Sequence, residues 1–292
     1  MTGHATVGTR TQLDGHPTRQ REHLARFRRA GVRMVDFDGG EPTLNPELIG
    51  LVRAARRHGY QGVKVQTNGL VLGAGANAAR LVDAGCDDIH VSIHTHAPAA
   101  YDALTRAPGS HALMTRGLAA AVATGVAVTA DAIITAATAP RLPAAVAWLA
   151  ERGVAGVDLW FVSLTDGNAA NLASMPRMTE AMPHVAAALA AGRAHGLTMR
   201  SLHLPRCLLG ADRAHAYDPG ADRVKVVSPD AVFELARSRL AGQVHTAACD
   251  GCPDRAACPG LRDDYLARYG DAEIAAARGQ PATVAPRRLP VV

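Results

Sequence analysis

The chain has 292 residues, enough for one large domain or two modest ones, and its 48% hydrophobic and 20% charged content excludes intrinsic disorder. Lys and Arg number 31 against 26 Asp and Glu; the resulting net charge of +5 is spread along the chain without a basic block, so no nucleic-acid partner follows from it. Five cysteines are too few and too clustered for a secreted disulfide scaffold, which points to a reducing, cytoplasmic setting and to an enzyme.

Residues 1–15 are polar and hold no apolar run of signal-peptide length. From His16 the pattern alternates between helical and strand-like segments. Helices are expected at 18–29, 45–58, 77–84, 112–123, 142–152 and 178–195, most of them closed by a glycine. Strands are expected at 34–37, 62–67, 88–93, 126–134, 157–164 and 197–202. Residues 117–140 alone resemble a membrane span. Gly125 splits them into an Ala/Leu helix and a β-branched strand, so no membrane segment is expected. Such βα repetition calls for a parallel sheet covered by helices, open or curled into a full or partial barrel. After Pro205 the repeat stops and four of the five cysteines follow. The expected domains are therefore a polar segment 1–15, a barrel 16–205, a Cys-rich module 206–274 and a loosely held tail 275–292.

In parallel βα proteins ligands meet the loops after the strand C-termini. Those loops read Asp38-Gly39-Gly40-Glu41-Pro42-Thr43, then Gln66-Thr67-Asn68-Gly69, then Ser92-Ile93-His94, then Ile134-Thr135, then Ser163-Leu164-Thr165-Asp166-Gly167. Paired glycines before Glu41 let the backbone approach a ligand, and freed carbonyls with the Glu41 carboxylate suit an ammonium group. Thr67, Asn68 and Ser92 suit hydroxyls or a carboxylate. Tyr101 and Asp166 are weaker substrate-contact candidates. Each turn alone is ordinary loop chemistry; polar tips on successive strands at one end of a sheet are harder to explain that way. The stretch Gly73-Ala-Gly75-Ala-Asn-Ala78 loosely matches a dinucleotide fingerprint, but the next strand ends Ser92-Ile93-His94 without the ribose-binding acid, which excludes that reading.

Cys249-Asp-Gly-Cys252 and Cys258, with Cys207 upstream, offer four thiolates in loop-forming sequence. The set suits tetrahedral zinc or an iron–sulfur cluster, and the spacing does not separate the two. Cys86, between a helix end and a strand, reads as a small packed residue. His90, His94 and His96 have no carboxylate spaced to assist them and are set aside as a metal site, while His94 at a strand tip stays a ligand-contact candidate.

Together these pieces resemble the radical S-adenosylmethionine (SAM) superfamily: Asp38-Gly39-Gly40-Glu41-Pro42-Thr43-Leu44, Gln66-Thr67-Asn68-Gly69 one βα unit later, the run from Ala84 to His94, and Tyr101-Asp102-Ala103-Leu104-Thr105. The resemblance covers roughly residues 16–205. It implies a partial (βα)6 TIM-like barrel whose segment Gly39, Gly40, Glu41, Pro42 meets the SAM amino group. Thr67, Asn68, Ser92 and His94 would line the same mouth, with Ile133 near the adenine. It also implies an auxiliary [4Fe–4S] cluster on Cys207, Cys249, Cys252 and Cys258, a small-molecule or peptide substrate, and an electron-donor protein as partner. One departure stands out. The family's first strand leads into a Cys-x3-Cys-x2-Cys loop that holds the SAM-cleaving cluster, and here no cysteine precedes Cys86. The first strand and that loop are therefore expected to be missing, through truncation at an internal Met or in a cluster-less SAM-binding protein: a non-radical transferase, or a non-catalytic partner with a structural metal. A missing first strand would leave residues 34–37 as an exposed sheet edge, which favours truncation.

Overall fold

The computed structural model describes residues 4–8, 17–165, 168–217, 224–228, 231–235 and 243–287. In chain order these form β1 (His4–Gly8), α1 (Pro17–Arg29), β2 (Met34–Asp38), α2 (Leu48–Arg57), β3 (Gly62–Thr67), α3 (Asn77–Asp83), β4 (Asp88–Ser92), α4 (Pro98–Thr105), α5 (Ser110–Val122) and β5 (Ala127–Ile134). There follow α6 (Leu142–Ala150), β6 (Gly156–Phe161), α7 (Met178–Ala194), β7 (Thr198–Leu202), α8 (Arg206–Leu209), β8 (Ala216–Tyr217), β9 (Lys225–Val227), β10 (Val232–Glu234), α9 (Asp263–Tyr269) and α10 (Ala272–Ala277). The six strands expected from periodicity are β2 to β7, with ends shifted by up to three residues. No helix among the described residues is long and apolar enough to cross a membrane. The chain divides into two compact units.

The first unit comprises residues 1–131, 151–156 and 219–238. Its strands lie in the order β10, β9, β1, β2, β3, β4 and the first part of β5, all parallel except β10. One face of each strand is apolar: Val35, Phe37, Val63, Val65, Ile89 and Val91 are almost fully buried. Helices cover that face because their apolar residues recur with helical spacing. In α2, for example, Leu48, Leu51, Val52, Ala54 and Ala55 form one buried stripe. Gly59 ends that helix at φ +85°, a left-handed turn that glycine enters without a Cβ penalty.

The expectation that the first strand is missing is overturned. Residues His4–Gly8 form β1, in register with β2 from His4 opposite Met34 to Gly8 opposite Asp38, and paired on its other side with β9. Strand β2 is thus interior, not an edge. The segment His-Ala-Thr-Val-Gly is too short and polar to show a hydrophobic pattern; backbone pairing on both sides makes it a strand.

The second unit comprises residues 132–150, 157–218 and 239–292. It contains the end of β5, then β6, β7 and β8 in that order, with α6 packed on α7. The segment after residue 205 is built into this unit. Tyr265 of α9 meets Phe161 of β6 edge-on at 5.8 Å, and its hydroxyl accepts from Met178 N at 2.9 Å. Buried Asp264 accepts from Leu164 N at 2.6 Å. The tail, expected to hang loose, is held as far as residue 287: Thr283 N and Val284 N each donate to Asp271 Oδ1 at 2.9 Å, and Arg287 N donates to the Ala267 carbonyl at 2.6 Å.

Helix α5 bears directly on a strand-end turn. A Cβ at Gly117 would sit 1.8 Å from the Gly69 carbonyl oxygen. In a free helix Gly→Ala gains up to about 1 kcal/mol, so any net loss measures this contact. Gly117→Ala is expected to lower stability by about 2 kcal/mol or more in urea unfolding. A neutral or stabilised variant would show that the helix and turn do not touch.

Candidate functional site

Parallel pairing places the C-terminal ends of β2, β3 and β4 on one edge of the sheet. The turn after β2 passes through exposed Gly39, at φ +118°, and exposed Gly40, so its backbone is open to a ligand. Glu41 turns back under them and is 7% exposed. Its Oε1 accepts from Thr43 N at 3.0 Å, Thr43 Oγ1 at 2.6 Å and Thr67 Oγ1 at 2.6 Å, while Oε2 accepts from Asn68 N at 2.7 Å. One carboxylate therefore fastens the turn after β2 to the turn after β3. Pro42, buried, opens the short 3-10 turn that follows. Gly69 N donates to Thr67 Oγ1 at 3.1 Å, and Leu70 N to Asn68 Oδ1 at 2.9 Å, which closes the second turn.

Ser92 ends β4 opposite Asp131, and Ile93 N donates to the Asp131 carbonyl at 2.8 Å. His94 follows on the same edge and stacks on buried Tyr101 with centroids 6.4 Å apart. Its Nδ1 is buried without a hydrogen-bond partner, and burial lowers its pKa. Ile133 lies in the second unit, where its carbonyl accepts from Thr138 Oγ1 at 2.6 Å. Asp166 lies outside the described residues. Open glycine backbone, a fixed carboxylate and a buried imidazole nitrogen without a partner fit a polar, amine-bearing ligand at the first unit's strand ends.

The face of these strands opposite the apolar core carries charge. Register aligns Asp36 with Lys64 and Asp88, and Ser92 with Asp131. Lys64 pairs with Asp36. His90, 3% exposed, lies with Nδ1 3.2 Å from Asp131 Oδ1 and Nε2 3.6 Å from Asp88 Oδ1. Burial alone would lower the His90 pKa; the hydrogen bonds to Asp131 and Asp88 outweigh it and raise the value to about 9. Asp38, at the end of β2, is raised to about 6 by burial and by the neighbouring Asp36 charge. The reading that no carboxylate assists these histidines is thus corrected: strand register supplies Asp131 from 41 residues away. Alternating polar positions in otherwise apolar strands (Asp36 and Asp38, Asp88 and His90, Thr129 and Asp131) were the available signal.

In the second unit Cys207, Cys249, Cys252 and Cys258 line one pocket with Pro205, His245, Leu261 and Arg278. Cys207 sits in the first turn of α8 and Cys249 ends a 3-10 turn. Arg206 N and Gly260 N point at the Cys258 sulfur at 3.4 and 3.5 Å. Arg278 donates to the carbonyls of Ala248 and Asp250, at 2.7 and 3.2 Å, which pins the loop carrying Cys249. Burial and the three neighbouring thiols push Cys207 up to about 11, so four thiolates close together call for a cation among them. The donor set fits a four-thiolate metal centre.

It does not extend to a second cluster at the strand ends. Of the five cysteines the remaining one, Cys86, lies ahead of β4, at the opposite end of that strand from Ser92. Its thiol donates to the Asp88 carbonyl at 3.3 Å and burial pushes it to about 12. The residues of this chain do not fit a SAM-cleaving cluster.

Residues 10–136 match the family profile described as the radical SAM superfamily. Among curated relatives, a probable GTP 3',8-cyclase of Methanopyrus kandleri is 37% identical over 122 residues, 41% of this chain and 38% of that protein. The GTP 3',8-cyclase of Limosilactobacillus fermentum is 36% identical over 84 residues, 28% of this chain and 25% of that protein. The matched stretches thus span well under half of these relatives. Among solved structures, Streptococcus suis SuiB superposes with TM-score 0.59 over 87% of this chain and 62% of its own, at 11% identity. The structure described as anSMEcpe with bound AdoMet and a Kp18Cys peptide gives TM-score 0.54 over 68% of this chain and 64% of its own, at 12% identity. These likenesses establish the fold class as α/β of the partial TIM-like barrel type.

Removing the Glu41 carboxylate leaves Thr43, Thr67 and Asn68 donors buried without acceptors. Glu41→Ala is expected to cost about 3 kcal/mol in denaturant unfolding, and a loss below about 0.5 kcal/mol would show the bridge to be idle. Two pH windows follow from the charged face. Asp38 binds its proton more tightly folded than unfolded, so its contribution is lost as pH rises from 3.8 to about 6. His90 likewise contributes fully below 6.5 and loses that contribution as pH rises through about 9. Stability measured against pH should flatten in the lower window in Asp38→Asn and in the upper window in His90→Gln; unchanged slopes would contradict the assigned environments.

Proposed function

We propose that this chain, whose residues 10–136 match the radical SAM superfamily profile, is a SAM-binding enzyme acting on a small molecule or a peptide. The supporting observation is the Glu41 bridge, which holds the open Gly39–Gly40 backbone and the Thr67–Asn68 turn as one rigid rim. On this reading Gly39, Gly40 and the Oε2 side of Glu41 receive the SAM ammonium, and Asn68, Ser92 and His94 meet its ribose or carboxylate. Thr67 and Pro42 shape the rim without touching the ligand. The substrate class is supported by the relatives: two are named GTP 3',8-cyclase, and SuiB superposes in a complex with its precursor peptide SuiA at TM-score 0.56.

We further propose that Cys207, Cys249, Cys252 and Cys258 hold an auxiliary [4Fe–4S] cluster. Such a cluster supplies a one-electron redox centre served by an electron-donor protein. The backbone amides of Arg206 and Gly260 aim at the Cys258 sulfur, an arrangement that tunes cluster potential. Arg278 fixes the Cys249 loop through its hydrogen bonds to the Ala248 and Asp250 carbonyls. A second reading, a cluster-less SAM-binding protein serving as a non-radical transferase or a non-catalytic partner, is favoured by one observation: the sequence connecting β1 to α1, residues 9–16, contains no cysteine.

Titration calorimetry with SAM tests the rim. Wild type is expected to bind, and Glu41→Gln to bind at least about tenfold more weakly, a change of about 1.4 kcal/mol; equal binding would refute the role of the bridge. Anaerobic metal analysis tests the thiol pocket, with about four irons per chain and broad absorbance near about 400 nm expected. Stoichiometric zinc without iron would refute the cluster.

A further inference from the structure

Resting on the reading of the rim as a SAM site, we infer that this chain binds the sulfonium nucleoside intact, with no iron beside it, and that the four-thiol pocket is its one iron centre. The argument begins at β1. Its register with β2 runs to Gly8 opposite Asp38, so the connection to α1 starts on the edge from which Gly39 and Gly40 also depart. The sequence that joins β1 to α1, residues 9–16, holds no cysteine. It reads Thr-Arg-Thr-Gln-Leu-Asp-Gly-His. Hydroxyl, amide, carboxylate and imidazole groups do not replace three thiolates on a low-potential cluster.

The remaining cysteines do not substitute. Cys86 is 2% exposed, bonded to the Asp88 carbonyl and placed at the strand end remote from the rim. The other four face one another in a single pocket of the second unit, where each is a neighbour of the rest. Reductive cleavage adds one electron to the sulfonium and breaks its bond to the 5′ carbon, releasing methionine and a deoxyadenosyl radical. That electron has to arrive through a metal bound to the SAM amino acid, and these residues provide no ligands for one. The rim itself needs no iron to form, because Glu41 is fixed by four donors from the chain.

The test uses the full chain reconstituted anaerobically with iron and sulfide, beside the same protein stripped with a chelator. Iron is expected at about four per chain, and its removal should change SAM affinity less than about twofold. The electron paramagnetic resonance spectrum of the dithionite-reduced protein should be unchanged by SAM, and SAM recovered after incubation should be whole by chromatography. About eight irons, a spectrum altered by SAM, affinity lost on chelation, or appearance of 5′-deoxyadenosine would each overturn the inference. Absence of SAM binding to either form would instead remove the rim reading beneath it. Cys249→Ala repeats the iron-free arm without chelator, with SAM affinity again the readout.

Discussion

The Glu41 carboxylate is the constraint on which the strand-end geometry depends. Four hydrogen bonds converge on it, from Thr43, Thr67 and Asn68, and three of them share one oxygen. A charged acceptor buried this deeply is tolerable because every donor around it is supplied by the chain. Its effect is to convert two separate turns into one rim. Gly117 supports that rim from behind, since the absence of a side chain there lets α5 lie against the Gly69 carbonyl. Helix packing, turn geometry and ligand approach are thus linked through a few small residues and one acid.

The two faces of the first unit's sheet follow different physics. One is apolar and stabilised by burial under helices. The other holds Asp36, Lys64, Asp88, His90 and Asp131, which offset one another's desolvation by pairing. Charged groups of this kind contribute little net stability, and Asp38 in fact costs stability when ionised. They make a polar surface beneath the rim that an apolar core would not provide. The thiol pocket of the second unit is built differently again: its ligands come from short turns, and Arg278 holds the one that carries Cys249.

Much of this was legible in the residue pattern. The alternation of helical and β-branched segments located β2 to β7, and glycines marked most helix ends. The turns at Gly39–Glu41 and Thr67–Gly69 stood out because polar residues recur after successive strands. Strand β1 was invisible, for its five residues have no hydrophobic signature and exist as a strand through pairing with β2 and β9. The role of Glu41 was read as ligand-facing, whereas most of its hydrogen-bonding capacity is spent inside the chain. The His90–Asp131 pair was missed because its members are 41 residues apart and meet through register alone.

The sequence by itself determined the α/β class, the order of the elements, the polar strand tips and the four clustered cysteines, because each of these is a local pattern of hydrophobicity, chain flexibility or side-chain chemistry. Tertiary structure decided which polar groups become partners. Hydrogen bonds and ion pairs are short-ranged, so their choice waits until strand register and helix packing bring distant residues within about 3 Å of one another.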